Sequence, residues 1–178
     1  MLCIDWTAIG SIATSIGVIV AVILFIIESR RSMFTKAVDI LMQYDNRFNS
    51  QEFRKIRRRA AEFFLSGSKE EDKDGRQAIA DVLNFFETVA FLYCNKAIKA
   101  NMVWHTFASW LVPYWKAAES YTQKRLLDDP NSYRETAVLF DAVWSIEQEQ
   151  LHDHTEKSII KGESLNRFLK SEAELPIM

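Results

Sequence analysis

AIGSIATSIGVIVAVILFII, residues 8 to 27, is a run of twenty residues without a charged side chain. Twenty helical residues rise about 30 Å, which matches the hydrocarbon core of a bilayer. A surface-packed helix of this length would show a charged stripe, and a secretory signal peptide would place basic residues before a shorter apolar run. The preceding residues, MLCIDWT, contain an acid and no base. We therefore expect residues 8 to 27 to form a retained transmembrane helix.

Charge on the two sides of this run predicts its orientation. Arg30, Arg31 and Lys36 follow it, whereas Asp5 precedes it. The positive-inside rule then places the N-terminus outside and the following residues in the cytoplasm, and Trp6 stands where interfacial aromatic residues anchor a span. We expect a single-pass membrane protein with a cytoplasmic C-terminal domain.

The remainder of the chain is predicted to be all-α. Five glycines and three prolines in 178 residues are too few for the turns of an all-β fold. The predicted organisation is a transmembrane helix that continues as a long cytosolic helix (residues 1–48), a helical bundle (49–160) and an amphipathic tail that frays (161–178). Roughly 150 residues suffice for one domain with its own core.

Capping signals predict the individual helices of the bundle. Ser50 is an N-cap for a helix over residues 51–65, and a polar loop follows at 66–75. A third helix is expected over residues 76–99. Asn101 would cap a fourth, which Pro113 kinks or restarts before it ends near position 127. Ser132, with Glu135 at the capping-box position, would cap a fifth from 133 to about 154.

The apolar run has two distinct faces when side chains are placed at 100° per residue. One face carries hydroxyl groups in its outer half and apolar groups in its inner half, and a neighbouring stripe holds small residues. The first comprises Thr7, Ser11, Thr14, Ser15, Val18, Val22 and Phe25, and the second comprises Gly10, Ala13, Gly17 and Ala21.

Small residues at four-residue spacing let helix backbones approach closely in lipid, and an apolar constriction can gate a pore by dewetting. The two faces therefore predict a homo-oligomer whose helices surround a pore, with the first face lining it. The alternative is an ordinary anchor, whose hydroxyl groups bond to the carbonyls of their own helix.

A dense basic cluster follows the predicted first helix, and we define it as the 54–59 cluster. It comprises Arg54, Lys55, Arg57, Arg58 and Arg59. Such a cluster is most often a solvated helix face paired with local acids, here Glu52 and Glu62. It could also bind anionic lipid head groups or, third in order, RNA phosphates.

Other residues argue against a metal site, a nucleotide-phosphate loop or a serine hydrolase. Glu149 and His152 form one E-x-x-H pair beside Asp153 and His154, but a di-metal bundle needs two such pairs. The chain contains no glycine-rich phosphate loop, no G-x-S-x-G and no C-x-x-C. We expect no cofactor and no metal.

Cys94 and the aromatic residues are expected to have structural roles. Cys94 lies within the apolar stretch AFLYC, so we expect it to be a core residue. The aromatic residues at helical spacing are expected in the core or in a subunit interface.

One predicted transmembrane helix, an all-helical cytosolic domain and the helical stretch DVLNFFE (residues 81–87) resemble the small membrane-anchored accessory proteins of type VI-B CRISPR systems. That resemblance implies a divergent HEPN-like domain in the bacterial inner membrane. It also implies a pore-forming homo-oligomer that enhances antiphage defence by an RNA-guided RNA nuclease.

HEPN ribonucleases carry an arginine and a histidine separated by four to six residues, and this chain lacks that pair. Its nearest counterpart is Asn101 with His105, which has no cation to stabilise transition-state charge. The protein is therefore not expected to be an enzyme. The alternatives are a membrane-tethered HEPN-like ribonuclease or RNA-binding domain, and a passive anchor that recruits a partner. The expected partners are further copies of the chain, lipids and, through a functional link, the nuclease.

Overall fold

The computed structural model describes residues 6–67, 71–153 and 162–176, and the side chains of residues 17–67, 71–150 and 163–176. Within these ranges the chain forms seven helices and no strand, so the all-α prediction is confirmed. The helices are α1 (Trp6–Phe48), α2 (Gln51–Leu65), α3 (Lys73–Cys94), α4 (Ala100–Ala117), α5 (Glu119–Asp128), α6 (Arg134–Asp153) and α7 (Gly162–Ala173).

The chain divides into two compact units, Met1–Asp39 and Ile40–Met178. In the first unit, α1 is exposed at every described position from Gly17 to Lys36. Among the helical residues that were described, no segment is both long enough and apolar enough to cross a membrane. Residues 8–16 of the predicted span lie outside the residues whose side chains the structure describes.

Phenylalanine rings form the centre of the second unit. Phe48, Phe86 and Phe107 are completely buried, and the Phe48 ring centre lies 4.8 Å from that of Phe85 and 5.6 Å from that of Phe86. Burial of each such side chain stabilises the fold by about 1.5–3 kcal/mol. The sequence prediction of an aromatic core is confirmed for Phe85, Phe86 and Phe107, whereas Phe91 is exposed.

Helix α2 has the bounds that its capping signal predicts, because the Ser50 hydroxyl accepts a hydrogen bond from the Phe53 N–H at 3.2 Å. Helix α3 differs from its prediction at both ends. It begins three residues earlier, at Lys73, because the Asp72 carboxylate caps it by accepting from the Gly75 N–H. It ends five residues earlier, at Cys94, because Lys96 adopts a φ of 60° that a helix cannot continue.

The predicted caps of α4 and α6 are wrong. Asn101 lies in the first turn of α4 rather than before it, and the break that we expected at Pro113 falls at Ala118. At the start of α6, the Ser132 hydroxyl donates to Asp129 instead of capping the helix. The acceptor for the Thr136 N–H comes from α3, as described below.

Helix α7 packs against α2 and, less extensively, against α4. Leu169 and Glu172 are each only 4% exposed, so the described part of the C-terminal tail is packed and the expectation of a frayed tail is wrong. Cys94 is exposed, which corrects its assignment to the core. It ends α3 beside the Lys96 turn, where the backbone leaves the helix.

Candidate functional site

The described part of the predicted pore face is exposed on α1. Val18, Val22 and Phe25 are exposed by 59, 51 and 74%. The described members of the small stripe, Gly17 and Ala21, are also exposed, and a Cβ added to Gly17 would meet nothing within 4 Å. The other predicted members lie outside the described side chains: Thr7, Gly10, Ser11, Ala13, Thr14 and Ser15.

Apolar exposure on α1 extends around the whole helix between positions 18 and 27. Nine of these ten residues are large apolar side chains that are 47 to 74% exposed: Val18, Ile19, Val20, Val22, Ile23, Leu24, Phe25, Ile26 and Ile27. A helix that is apolar on all sides is typical of contact with lipid or with other helices, and an exposed patch of this kind marks an interaction surface.

The structure separates the 54–59 cluster into one buried and four accessible residues. Arg57 is 2% exposed, which contradicts its place on a basic surface patch. Lys55 is exposed, and Arg54, Arg58 and Arg59 are half-buried. The predicted local pairing is confirmed for Glu62, whose carboxylate lies 2.9 Å from Arg58 Nε.

Arg59 binds Asp72, the residue that caps α3. Its guanidinium hydrogen-bonds the Asp72 carboxylate, which also accepts from the Gly75 N–H. These bonds, first that of the Gly75 backbone and then that of Arg59, lower the pKa of Asp72 below its ordinary value of 3.8. Because Arg57 is buried and Arg59 is bound to the cap, the surface patch is smaller than the sequence suggests.

Arg57 forms a buried ion pair with Glu172 of α7. Its Nε donates to Glu172 Oε2 at 2.7 Å and its Nη2 donates to Oε1 at 2.5 Å. The guanidinium carbon lies 4.3 Å from the centre of the Phe48 ring and 5.3 Å from that of Trp110. This bidentate and aromatic environment is the one in which arginine tolerates burial better than lysine.

The hydroxyl group of Tyr114, from α4, completes this network. It donates to Glu172 Oε2 at 2.8 Å and lies 3.2 Å from the Arg57 carbonyl oxygen. Burial, with the negative charge of Glu172 as a second cause, raises the pKa of Tyr114 well above 10.0, so the group is a permanent donor. Sequence analysis missed Glu172 because it lies 115 residues from Arg57 and has no motif of its own.

A second polar group joins α3 to the first turn of α6. Glu87 Oε2 accepts a hydrogen bond from the Thr136 N–H at 2.9 Å and another from the Thr136 hydroxyl. Burial, and then a hydrogen bond with Glu135, raises the pKa of Glu87 above 4.5, whereas that same bond lowers the pKa of Glu135. The pKa values of the two carboxyl groups are therefore shifted in opposite directions, with Glu87 the weaker acid, and Glu87 supplies the cap that Ser132 does not.

The two HEPN-like candidates do not form an enclosed site in the described structure. Asn101 and His105 are one turn apart on α4 and both are exposed, with the His105 ring 4.7 Å from that of Trp104. Trp104 itself is fixed by a 2.6 Å hydrogen bond from Nε1 to Glu147. This arrangement offers no pair of groups that could polarise a ribose hydroxyl and a phosphate together.

No group of three metal-ligating side chains occurs among the described residues. Of the E-x-x-H segment, Glu149 is exposed, and His152, Asp153 and His154 lie outside the described side chains.

Comparison with known proteins connects the chain to one family. Neither the comparison with curated proteins nor that with solved structures gave a match. A family model matches residues 11–143, which cover most of the 178 residues and include the helices from α2 to α5. The chain therefore belongs to the family described as the domain of unknown function DUF4760.

Proposed function

We propose that the protein is anchored in the bacterial inner membrane by α1 and associates there with copies of itself to form a pore. The observation that carries the proposal is the exposed apolar surface on all sides of α1 between Val18 and Ile27. In water such a surface costs roughly 25 cal/mol per Å², and contact with lipid or with equivalent helices removes this cost. The uncharged residues 8–16, which precede this stretch, extend it to the length of a bilayer.

The small stripe supports association of the helix with itself. Gly17 and Ala21 leave α1 narrow on one side, and the space beside Gly17 is open. A second α1 helix can approach closely there, which maximises van der Waals contact in lipid. Val18, Val22 and Phe25, on the adjacent face, would then surround the axis as an apolar constriction that opens and closes by dewetting.

In this proposal the second unit is the cytoplasmic frame of the assembly. The resemblance to the accessory proteins of type VI-B CRISPR systems adds the biological role, which is to enhance RNA-guided antiphage defence by permeabilising or depolarising the membrane. This role is supported by layout alone, and pore formation can be tested without it.

The test uses the full chain purified in detergent and reconstituted into dye-loaded liposomes. We expect light scattering to give a closed oligomer and the liposomes to lose dye. Gly17→Leu should shift the oligomer towards monomer, whereas Gly17→Ala should retain it, because alanine preserves the small stripe. Both substitutions favour the helix, so a loss of helicity would not explain the difference.

Three outcomes would contradict the proposal. They are a monomeric wild-type protein with intact liposomes, an equal oligomer size for Gly17→Leu and Gly17→Ala, and full dye release after residues 8–27 are replaced by polyleucine. The last result would mean that dye release does not need the lining of α1, because polyleucine keeps the hydrophobic length but removes the lining, whereas a passive anchor would leave the liposomes intact.

A further inference from the structure

A cleft of about 570 Å³ lies in the second unit between α2, α3 and α5, beside the Asp72 cap of α3. Its lining comes mainly from one face of α3 and one face of α5. The α3 face comprises Lys73, Arg76, Gln77 and Ala80, and the α5 face comprises Tyr121, Lys124, Arg125 and Asp128. Both sets have the i, i+3, i+4, i+7 spacing of a single helix face, so two helix surfaces define the opposite walls. The volume falls within the range of small-molecule sites, which is about 300–1,000 Å³.

The walls of the cleft are strongly basic. Lys73 and Arg76 extend from α3, and Lys124 and Arg125 extend from α5, whereas Asp128 is the single acid among the described lining residues. Two basic side chains on each wall create a positive potential between them, and a cleft with low-dielectric walls concentrates this field. Arginine binds phosphate through a planar fork of donors, and lysine binds it as a point charge.

Aromatic rings accompany these charges. Phe64 from α2 and Tyr121 from α5 are half-buried and line the cleft, and the buried side chains of Phe63 and Ala80 form an apolar part of its lining. The Arg125 guanidinium carbon lies 5.9 Å from the centre of the Tyr121 ring, so a cation and a flat surface are presented together. Aromatic side chains of this kind stack on the bases of nucleic acids and nucleotides.

We propose that this cleft binds a nucleoside phosphate, with the phosphates between Arg76 and the basic pair of α5 and the base against Tyr121 or Phe64. Asp72 lies near Arg76 and Asp128 near Arg125, so the four bases outnumber the neighbouring acids and leave the cleft positive for a phosphate group. The volume suits a single nucleotide rather than a strand of nucleic acid. The cleft lies entirely within the second unit, so binding there does not depend on whether α1 forms a pore.

Titration calorimetry on the full chain in detergent and low-salt buffer tests the proposal with ATP, AMP and inorganic phosphate. We expect ATP to bind most tightly, AMP next and phosphate weakest, and we expect the affinity for ATP to fall as salt is added. Arg76→Glu should weaken ATP binding at least roughly tenfold, since a hydrogen bond to a charged group is lost and a repulsion is gained. The matched control is Arg134→Glu, an exposed arginine at the start of α6 that does not line the cleft.

A second substitution tests the aromatic contribution separately. Tyr121→Leu should reduce the preference for AMP over inorganic phosphate by roughly tenfold, because leucine removes the ring on which the base stacks. Three results would overturn the proposal: wild-type protein that binds no ATP, equal losses with Arg76→Glu and Arg134→Glu, or binding of single-stranded RNA without binding of mononucleotides. Circular dichroism of each variant distinguishes a lost site from a lost fold.

Discussion

Arg57 and Glu172 are 115 positions apart in the chain, and their side chains form two hydrogen bonds of 2.7 and 2.5 Å in the interior of the second unit. The pair joins α2 to α7, the last described helix. Both side chains are almost fully buried, at 3% and 6% exposure. A buried pair of this kind gains little net stability over apolar residues, because desolvation offsets most of the attraction, but the loss of either partner is costly.

Glu172→Ala should therefore lower the free energy of unfolding by about 3–5 kcal/mol, because it leaves the Arg57 charge buried and unpaired. Urea denaturation followed by tryptophan fluorescence measures the change. The control is Arg58→Ala on the neighbouring surface, where the partly exposed pair with Glu62 should contribute no more than about 1 kcal/mol. Equal losses in the free energy of unfolding for the two variants would contradict the prediction that an unpaired buried charge is costly.

Gly75 is the site of a second stability prediction. A Cβ at this position would lie 2.3 Å from Phe63 Cδ2 and 2.8 Å from Phe63 Cβ, and Phe63 is buried. Gly75→Ala should lower the free energy of unfolding by about 1–3 kcal/mol through overpacking. This outcome opposes helix propensity, which favours alanine over glycine by roughly 1 kcal/mol. A thermal unfolding midpoint above that of the wild type would mean that Phe63 moves aside without cost.

Some features of the second unit can be predicted from neighbouring residues in the sequence, and others cannot. Helix α2 is predictable to the residue, because Ser50 and the apolar spacing lie within a few positions of each other. The end of α3 is not, since Lys96 occupies a left-handed conformation that glycine usually takes. The burial of Arg57 is also hidden, because its partner lies on α7 and the surrounding basic residues suggest a surface.

The basic cleft was missed for a related reason. Its charges lie on helices about fifty positions apart, and sequence analysis follows continuous clusters such as residues 54–59. One signal was available, because Tyr121, Lys124 and Arg125 have the spacing of one helix face. That spacing predicts one wall of the cleft. The other wall, on α3, cannot be predicted from local sequence, because it depends on how the helices pack.

Glu87 gives a prediction for the dependence of stability on pH. Its folded pKa is raised above 4.5, so its contribution to stability is fully present below the unfolded pKa and is lost as pH rises through the folded value. Glutamine stays neutral and its carbonyl oxygen can still accept from Thr136. Glu87→Gln should therefore gain stability relative to the wild type as pH rises from 4.5 towards 7.

Thermal unfolding of both proteins across that range measures the difference. Glu135 acts in the opposite direction, since its lowered pKa gives stability that is lost as pH falls below 4.5, so the comparison stays above that value. A difference that shrinks as pH rises would contradict a raised pKa for Glu87 in the folded protein.

Substitutions at Val20 and Val22 can distinguish a helix that lines a pore from a helix that is only hydrophobic. At 100° per residue the two valines lie about 160° apart around α1, and both are about half exposed. Val→Ser removes the same apolar surface at either position, so the cost to membrane insertion is matched.

If Val22 belongs to an apolar constriction, Val22→Ser should hydrate it and speed dye release from liposomes several-fold, because dewetting keeps such a gate closed. Val20→Ser should leave the release rate near that of the wild type. Equal rates for the two variants would contradict a pore lined by the face of Val18, Val22 and Phe25, because a helix that perturbs lipid without a defined lining has no reason to distinguish its two sides.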